Sequence, residues 1–208
     1  MNSTTSFSPS RIVSLCIAGL FVLSAACTQP STMDAVAPVS KVEHPEWSKN
    51  ATIYEVNVRQ YTPEGTFNAF SEHLPRLKEI GVDILWFMPI HPIGKINRKE
   101  TESSMGSYYS VQDYKSVSSD YGTKEDFKRM VEQAHGLGMK VILDWVPNHT
   151  AWDNPWTENK DWYVLNEEDD FIPPLGTDWT DVIQLDYTNE EMRAAMIDAL
   201  KYWVAEFG

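Results

Sequence analysis

The run Ile84-Leu85-Trp86-Phe87-Met88 constrains this chain most, because it is apolar at every position and is closed by Pro89. A strand with one face in water alternates apolar and polar residues. A run without alternation belongs in a sheet covered on both faces, which is the habit of parallel sheets. Parallel strands need crossovers, usually helices, and the flanking sequence offers them. Phe67, Phe70, Leu74, Leu77 and Ile80 recur at three and four residues before Gly81, a helical stripe that Pro75 should kink or split into two short helices. Downstream, Thr123-Lys124-Glu125-Asp126 reads as a capping box. The helix it opens should bury Phe127, Met130, Val131, Ala134 and Leu137 and end at Gly136 and Gly138.

The remaining elements extend the same alternation. Thr52 to Arg59 places Tyr54, Val56 and Val58 on one face and Glu55 and Asn57 on the other, a strand pattern. Lys140 to Val146 reads as a third strand. A long loop, His91 to Tyr114, separates the second strand from the capped helix, and loops of that length in a compact domain are often functional. An irregular stretch, Thr150 to Tyr187, precedes a last helix opened by Thr188-Asn189-Glu190-Glu191, with Met192, Met196, Ala199, Leu200, Trp203 and Phe207 expected inward. Strand–helix–strand–helix–strand–insert–helix predicts an α/β fold with a parallel sheet.

The N-terminus reads as a targeting segment. Arg11 precedes an apolar run, Ile12 to Leu23, followed by Ser24-Ala25-Ala26. That is a secretory signal whose apolar part is shorter than the roughly 20 residues of a membrane span. Cys27 after these small residues resembles a bacterial lipobox, with Leu23 one position further from the cysteine than usual. The alternative is ordinary secretion. Cys16 lies within the signal, so the mature chain can form no internal disulfide. The net charge of −13 argues against nucleic acid or an anionic membrane surface as a partner and is compatible with a neutral substrate.

The chemistry gathers in Asp144-Trp145-Val146-Pro147-Asn148-His149, where the third strand gives out. The C-terminal end of a parallel strand is the usual place for a site in such folds. On the residues alone His149 is either a ligand-binding imidazole or a structural histidine beside a turn. Glu167, Glu168, Asp169 and Asp170 read as a solvated acidic turn rather than a metal site. Trp145, Trp152, Trp156, Trp162 and Trp179 could be sugar platforms or the core of a small insert. Trp152 and Trp156 are the two expected to be exposed, because Asp153, Asn154 and Pro155 surround them with turn chemistry.

The hexapeptide resembles the first signature region of the α-amylase family of glycoside hydrolases, Asp-x-Val-x-Asn-His. Other stretches are similar in the same order: YEVNVRQYTPEGTF, GVDILWFMPIHPIG, Tyr109 with Asp113-Tyr114, and YGTKEDFKRMVEQAHGLGMKVILDWVPNHT. Tyr108 stands where the family motif has Gly. The resemblance covers Trp47 to Gly208. It implies an incomplete (β/α)8 TIM barrel of about three β/α units, with a small domain inserted after strand three. The expected layout is a signal peptide over 1–26, a lipid-anchor cysteine and tether over 27–49, barrel over 50–149, the insert over 150–187, and barrel helix three over 188–208.

The resemblance also implies a retaining reaction on α-glucosidic bonds of starch or maltooligosaccharides, run by two carboxyl groups about 5 Å apart. The family's nucleophile follows a Gly-Phe-Arg-x-Asp motif on strand four, its acid lies on strand five and a third Asp after strand seven. None of these motifs occurs in the 208 residues, so no catalytic residue is expected in this chain and the chain by itself should be inactive. Carried over residue by residue, Tyr109 would stack on a sugar ring and His149 would bond its hydroxyls. Asp144 would brace the site without an arginine partner, and so be solvated or hold its proton more tightly. Asn148 matches a calcium ligand, although Gln184 stands where the family has an acidic ligand. The expected partners are an α-glucan and, through Cys27, a membrane. A non-catalytic carbohydrate-binding lipoprotein and a transglycosidase of the same family are the alternatives.

Overall fold

The computed structural model describes residues 43–98 and 104–208. The expected signal peptide, Cys27 and most of the expected tether lie outside the described residues. Residues 44–208 form one compact unit.

Three strands make a parallel sheet in the order β1 (Ile53–Val56), β2 (Ile84–Phe87), β3 (Lys140–Leu143). β1 is shorter than its alternation predicts. The last ladder bond runs from Met88 N–H to Val56 O, and Val58–Tyr61 then turns as helix α1. Gly65 explains the reversal: its φ is +64°, and a Cβ there would lie 3.0 Å from Arg59 O, so the chain can double back only with glycine at this point. The stripe split by Pro75 is indeed two helices, α2 (Phe67–Ser71) and α3 (Leu74–Glu79). Helix α4 (Lys124–Gly136) starts on a reciprocal capping box between Thr123 and Asp126. The Thr123 N–H bond, first, and the Asn68 amide then hold the Asp126 carboxyl down to about 2.

The sheet has one finished face. Val56, Leu85 and Phe87 are buried against Phe67, Phe70, Leu74 and Leu77 of α2 and α3 and Phe127 and Met130 of α4. The cross-strand row Glu55–Trp86–Ile142 points the other way. There Ile53 is 55 % exposed, Trp86 36 % and Ile142 44 %. The apolar run at β2 therefore predicted burial on both faces and finds it on one. All the described helices that join the sheet's main core pack on the same side, and a three-stranded sheet cannot curl to cover its own second face. Leu137 and Leu200 were also expected inside and are exposed. Leu137 is the C-cap of α4, and Leu200 borders an open groove between α5 and the free edge of β3.

A second apolar cluster holds the insert. Helix α5 (Glu190–Phe207), capped by Asn189 accepting from Met192 N–H, contributes Met192, Met196 and Ala199. Strands β4 (His149–Ala151) and β5 (Val182–Gln184) pair antiparallel, so the stretch read as irregular carries a small sheet that begins at His149 itself. The long loop docks on β4 at Gly94, where an added Cβ would lie 2.3 Å from Ala151 Cβ. Trp152 and Trp156, expected outside, are half-buried in this cluster; Trp156 packs on Tyr114 and Trp162.

Candidate functional site

The hexapeptide begins where the sheet ends. Asp144 N–H donates to Phe87 O at 2.8 Å, one residue past β3, and the chain then leaves the ladder. Three tyrosine hydroxyls from elsewhere fix the path of the hexapeptide. The Tyr114 hydroxyl lies 2.7 Å from Val146 O and 2.8 Å from His149 O, so its one proton serves two carbonyls. The Tyr187 hydroxyl donates to Pro147 O at 2.7 Å. Tyr109 donates to the Asp144 carboxylate at 3.2 Å. A buried carbonyl without a partner costs about 1–3 kcal/mol, so a segment with no strand ladder of its own acquires a defined shape.

The last two residues reach back to the same tyrosine. His149 Nε2 faces Tyr109 O at 3.1 Å and must therefore carry the proton, which leaves Nδ1 to accept from the Asn148 amide, also at 3.1 Å. Burial lowers the His149 pKa, partly offset by the Tyr109 carbonyl and the Asp181 carboxylate, so the ring is neutral near pH 7. Tyr109 is thus gripped at both ends, its hydroxyl by Asp144 and its carbonyl by His149. Desolvation first, then the Asp144 charge, raises the pKa of its phenol. Asp144 is half-buried, with this phenol as a partner.

Beside this clamp opens a cavity of about 570 Å³, lined by Ser104, Gly106, Ser107, Tyr109, His149, Trp179, Asp181 and Val182. The volume is in the range of small-molecule sites. Tyr109, 38 % exposed, offers its ring to the opening. His149 is only 5 % exposed with both nitrogens bonded, so it is chiefly a wall and a brace for Tyr109. The sequence favoured Trp152 and Trp156 over Trp179 as the exposed tryptophans and did not single out Asp181. Trp179 is 47 % exposed, its ring 5.6 Å from that of His149 and inclined at 69°. A usable signal was present: the Trp lies in Thr177-Asp178-Trp179-Thr180-Asp181, polar residues directly ahead of the apolar strand Val182-Ile183.

Asn148 was the one metal candidate. Its amide nitrogen is given to His149, and Gln184 uses its side-chain oxygen to accept from Leu175 N–H at 2.8 Å. Among the described residues no group of three or more acidic, imidazole or thiol side chains converges. Calcium takes six to eight oxygens, and the described residues bring no cluster of acidic side chains to Asn148.

Comparisons with known proteins place the chain in a family. The family model "Alpha amylase, catalytic domain" matches residues 45–174. Alpha-amylase 3 of Dictyoglomus thermophilum is 30 % identical over 183 residues, 76 % of this chain and 35 % of that protein. Trehalose-6-phosphate hydrolase of Bacillus subtilis is 28 % identical over 200 residues, 78 % of this chain and 34 % of that protein. The crystal structure of an alpha-amylase from Lactobacillus plantarum superposes with a TM-score of 0.72 at 43 % identity, covering 76 % of this chain and 37 % of that one. The chain thus spans about a third of the length of these relatives. Three parallel strands with helices on one side, and a site at their C-terminal ends, are the opening portion of an incomplete (β/α)8 barrel. The chain belongs to the α-amylase family of glycoside hydrolases and carries the N-terminal part of its catalytic domain.

Proposed function

We propose that these residues form one wall of the sugar-binding cleft of an exported enzyme that hydrolyses α-glucosidic bonds of starch or maltooligosaccharides with retention. The observation that carries this reading is the double grip on Tyr109 beside the cavity. A sugar ring has an apolar face that an aromatic ring held in one orientation can cover. Asp144 fixes the phenol and so the plane of the ring. His149 fixes the loop backbone, and its Nε2 proton can be shared with an incoming hydroxyl. The two carboxyl groups of a retaining reaction lie on parts of the family's barrel that these residues do not include, so the 208-residue chain binds sugar without cleaving it. A transglycosidase would share this wall. Asn148 holds the His149 tautomer; whether it also meets calcium is read from the unfolding temperature with calcium added and with it chelated, a rise with calcium supporting a metal contact.

The test is maltotriose binding by the purified chain, followed by tryptophan fluorescence. Binding that is saturable and weakened about tenfold by Tyr109→Ala supports the reading; unchanged binding sinks it. Release of reducing sugar from starch above that of a His149→Ala control would overturn the assignment of the chemistry to other parts of the barrel. Export and lipidation belong to the same proposal. Incorporation of labelled palmitate that disappears in Cys27→Ala would support an anchored lipoprotein, and its absence would leave a secreted or periplasmic protein.

A further inference from the structure

The cavity has a second wall, opposite Tyr109, that the sequence motifs do not cover. Trp179, Asp181 and Val182 enter it from the strap leading into β5. The strap is fixed by its backbone: the Trp152 indole N–H donates to Thr180 O at 2.9 Å, and the Ser110 hydroxyl donates to Asp181 O at 3.0 Å. One residue later the chain enters the β4–β5 pairing through buried Val182. Side chains on a strap held this way are set before a ligand arrives, which lowers the ordering cost of binding.

The chemistry of this wall is asymmetric in charge. Among the described residues the lining holds one ionised group, the Asp181 carboxylate, and no cationic side chain. Two guanidinium groups adjoin Gly106, outside the lining, and the Nη1 of Arg59 is buried without an acceptor among the described residues. Arg59 reaches Tyr108 Oη and Gly106 O, and Arg98 reaches Gly94 O and Ile93 O. His149 has both nitrogens bonded within the chain and offers no positive charge. A carboxylate accepts protons from two neighbouring sugar hydroxyls, and the indole beside it offers an apolar plane. The same carboxylate repels a phosphate in a partly desolvated site, where charges act more strongly than in water.

Resting on the sugar-cleft reading above, we propose that Trp179 and Asp181 are specificity-determining residues of this site. The indole covers the apolar face of a neutral sugar ring, and the carboxylate takes its hydroxyls while turning away phosphorylated sugars. Asp181 therefore selects charge class and Trp179 adds affinity for the sugar face, whereas Tyr109 and His149 form a wall that any α-glucoside can use.

The experiment measures binding of maltose and of maltose 6′-phosphate to the full 208-residue chain, as wild type, Asp181→Asn, Trp179→Ala and Tyr109→Ala. Thermal unfolding confirms that each variant is folded; Asp181→Asn keeps the shape of the side chain and Trp179 is half exposed. The wild type is expected to favour maltose over its phosphate by about tenfold or more. Asp181→Asn should reduce that ratio to near one while weakening maltose only about threefold. Trp179→Ala should weaken both sugars about tenfold without changing the ratio. An unchanged ratio in Asp181→Asn, or unchanged maltose affinity in Trp179→Ala, overturns the inference and leaves the Tyr109 wall standing. If the wild type binds neither sugar, the sugar-cleft reading itself fails and takes this inference with it.

Discussion

Leu85 and Phe87 on β2 are fully buried, whereas Trp86 between them is more than a third exposed, and the same split runs along the neighbouring strands. Both faces are apolar in sequence. The difference is what lies across from them: α2, α3 and α4 close one face, and none of the described elements closes the other. Apolar surface stabilises only where it leaves water, so the two faces contribute very unequally although they are written in the same residues. The site sits at the end of the open row: Asp144 follows Ile142 by two residues, and Tyr109 feels the charge of Glu55. Its hexapeptide is held by Tyr114 and Tyr187, and Tyr114, Trp145 and α5 complete the second apolar cluster.

The largest expected effect tests that contrast directly. Phe87→Ala should lower the stability of the chain by about 3–5 kcal/mol, the usual cost of a deleted core aromatic. Trp86→Gln, one residue away, should change it by no more than about 0.5 kcal/mol. Urea unfolding followed by circular dichroism measures both. Should the two substitutions cost the same, the open face is covered in solution, and sedimentation at several concentrations would reveal a second copy covering it.

These two faces also mark what the sequence could and could not tell. Periodicity located α2 to α5 and the parallel sheet, while reading α1 as the end of β1 and missing the β4–β5 pair, because a 3.6-residue or continuous apolar pattern is a local property of Phe67–Ile80, Ile84–Met88 or Phe127–Ala134. It could not say that Trp86 would face water, since that depends on elements outside the strand. Of the site, Tyr109, Asp144 and His149 were legible through their resemblance to a family motif, and the structure brings all three together. Their mutual grip was not legible, because it joins residues 35 and 40 positions apart through a loop without periodicity. Trp179 and Asp181 were missed for a related reason. Whether an aromatic in a Pro- and Asp-rich insert packs inward, like Trp156, or outward, like Trp179, is decided by neighbours that come from α5 and the long loop.

The junction between the two clusters supplies the next effect. His91 is buried among the rings of Tyr114, Trp145 and Trp203, with Nδ1 against Ser116 O and the Asp113 carboxylate nearby. Desolvation lowers its pKa to about 4, against the carbonyl and Asp113, which act the other way. Above pH 6.5 the ring is neutral folded and unfolded, and its contribution is fully present. As the pH falls towards 4 the unfolded chain takes up a proton that the fold refuses, and about 3 kcal/mol is lost. Denaturant unfolding at pH 7 and pH 4 should show a loss in the wild type that exceeds that of His91→Gln by about this amount. Equal losses would mean that water reaches the ring, and that the junction is looser than either cluster.

In the second apolar cluster, Tyr114→Phe isolates the hydroxyl that ties the hexapeptide down. It leaves the ring stack on Trp145 and Trp156 in place and strips the carbonyls of Val146 and His149 of their shared donor. A loss of about 2 kcal/mol is expected for two buried acceptors left short of a partner, read from the urea midpoint. Sugar binding should weaken with it, because His149 then loses the support that sets its distance to Tyr109. A stability loss with unchanged sugar affinity would separate the two roles and show that the clamp on Tyr109 does not depend on the backbone shape beneath it.

The smallest effect on stability should be the most telling for the site. Tyr109→Phe removes a hydroxyl from a half-exposed residue whose partner there, among the described residues, is Asp144. Water can replace that bond at the carboxylate, so folding should lose about 0.5 kcal/mol or less. The ring would still be held by its carbonyl on His149, but its plane would no longer be fixed from the far end. A platform free to tilt loses orientation before it loses contact area, so maltotriose affinity should fall by about threefold, less than in Tyr109→Ala. Asp144→Asn offers the complementary cut, since the amide can still accept from the phenol and should leave binding nearly unchanged. If Tyr109→Phe binds as well as wild type while Asp144→Asn does not, Asp144 meets the sugar itself, and its part in the cleft is contact rather than support.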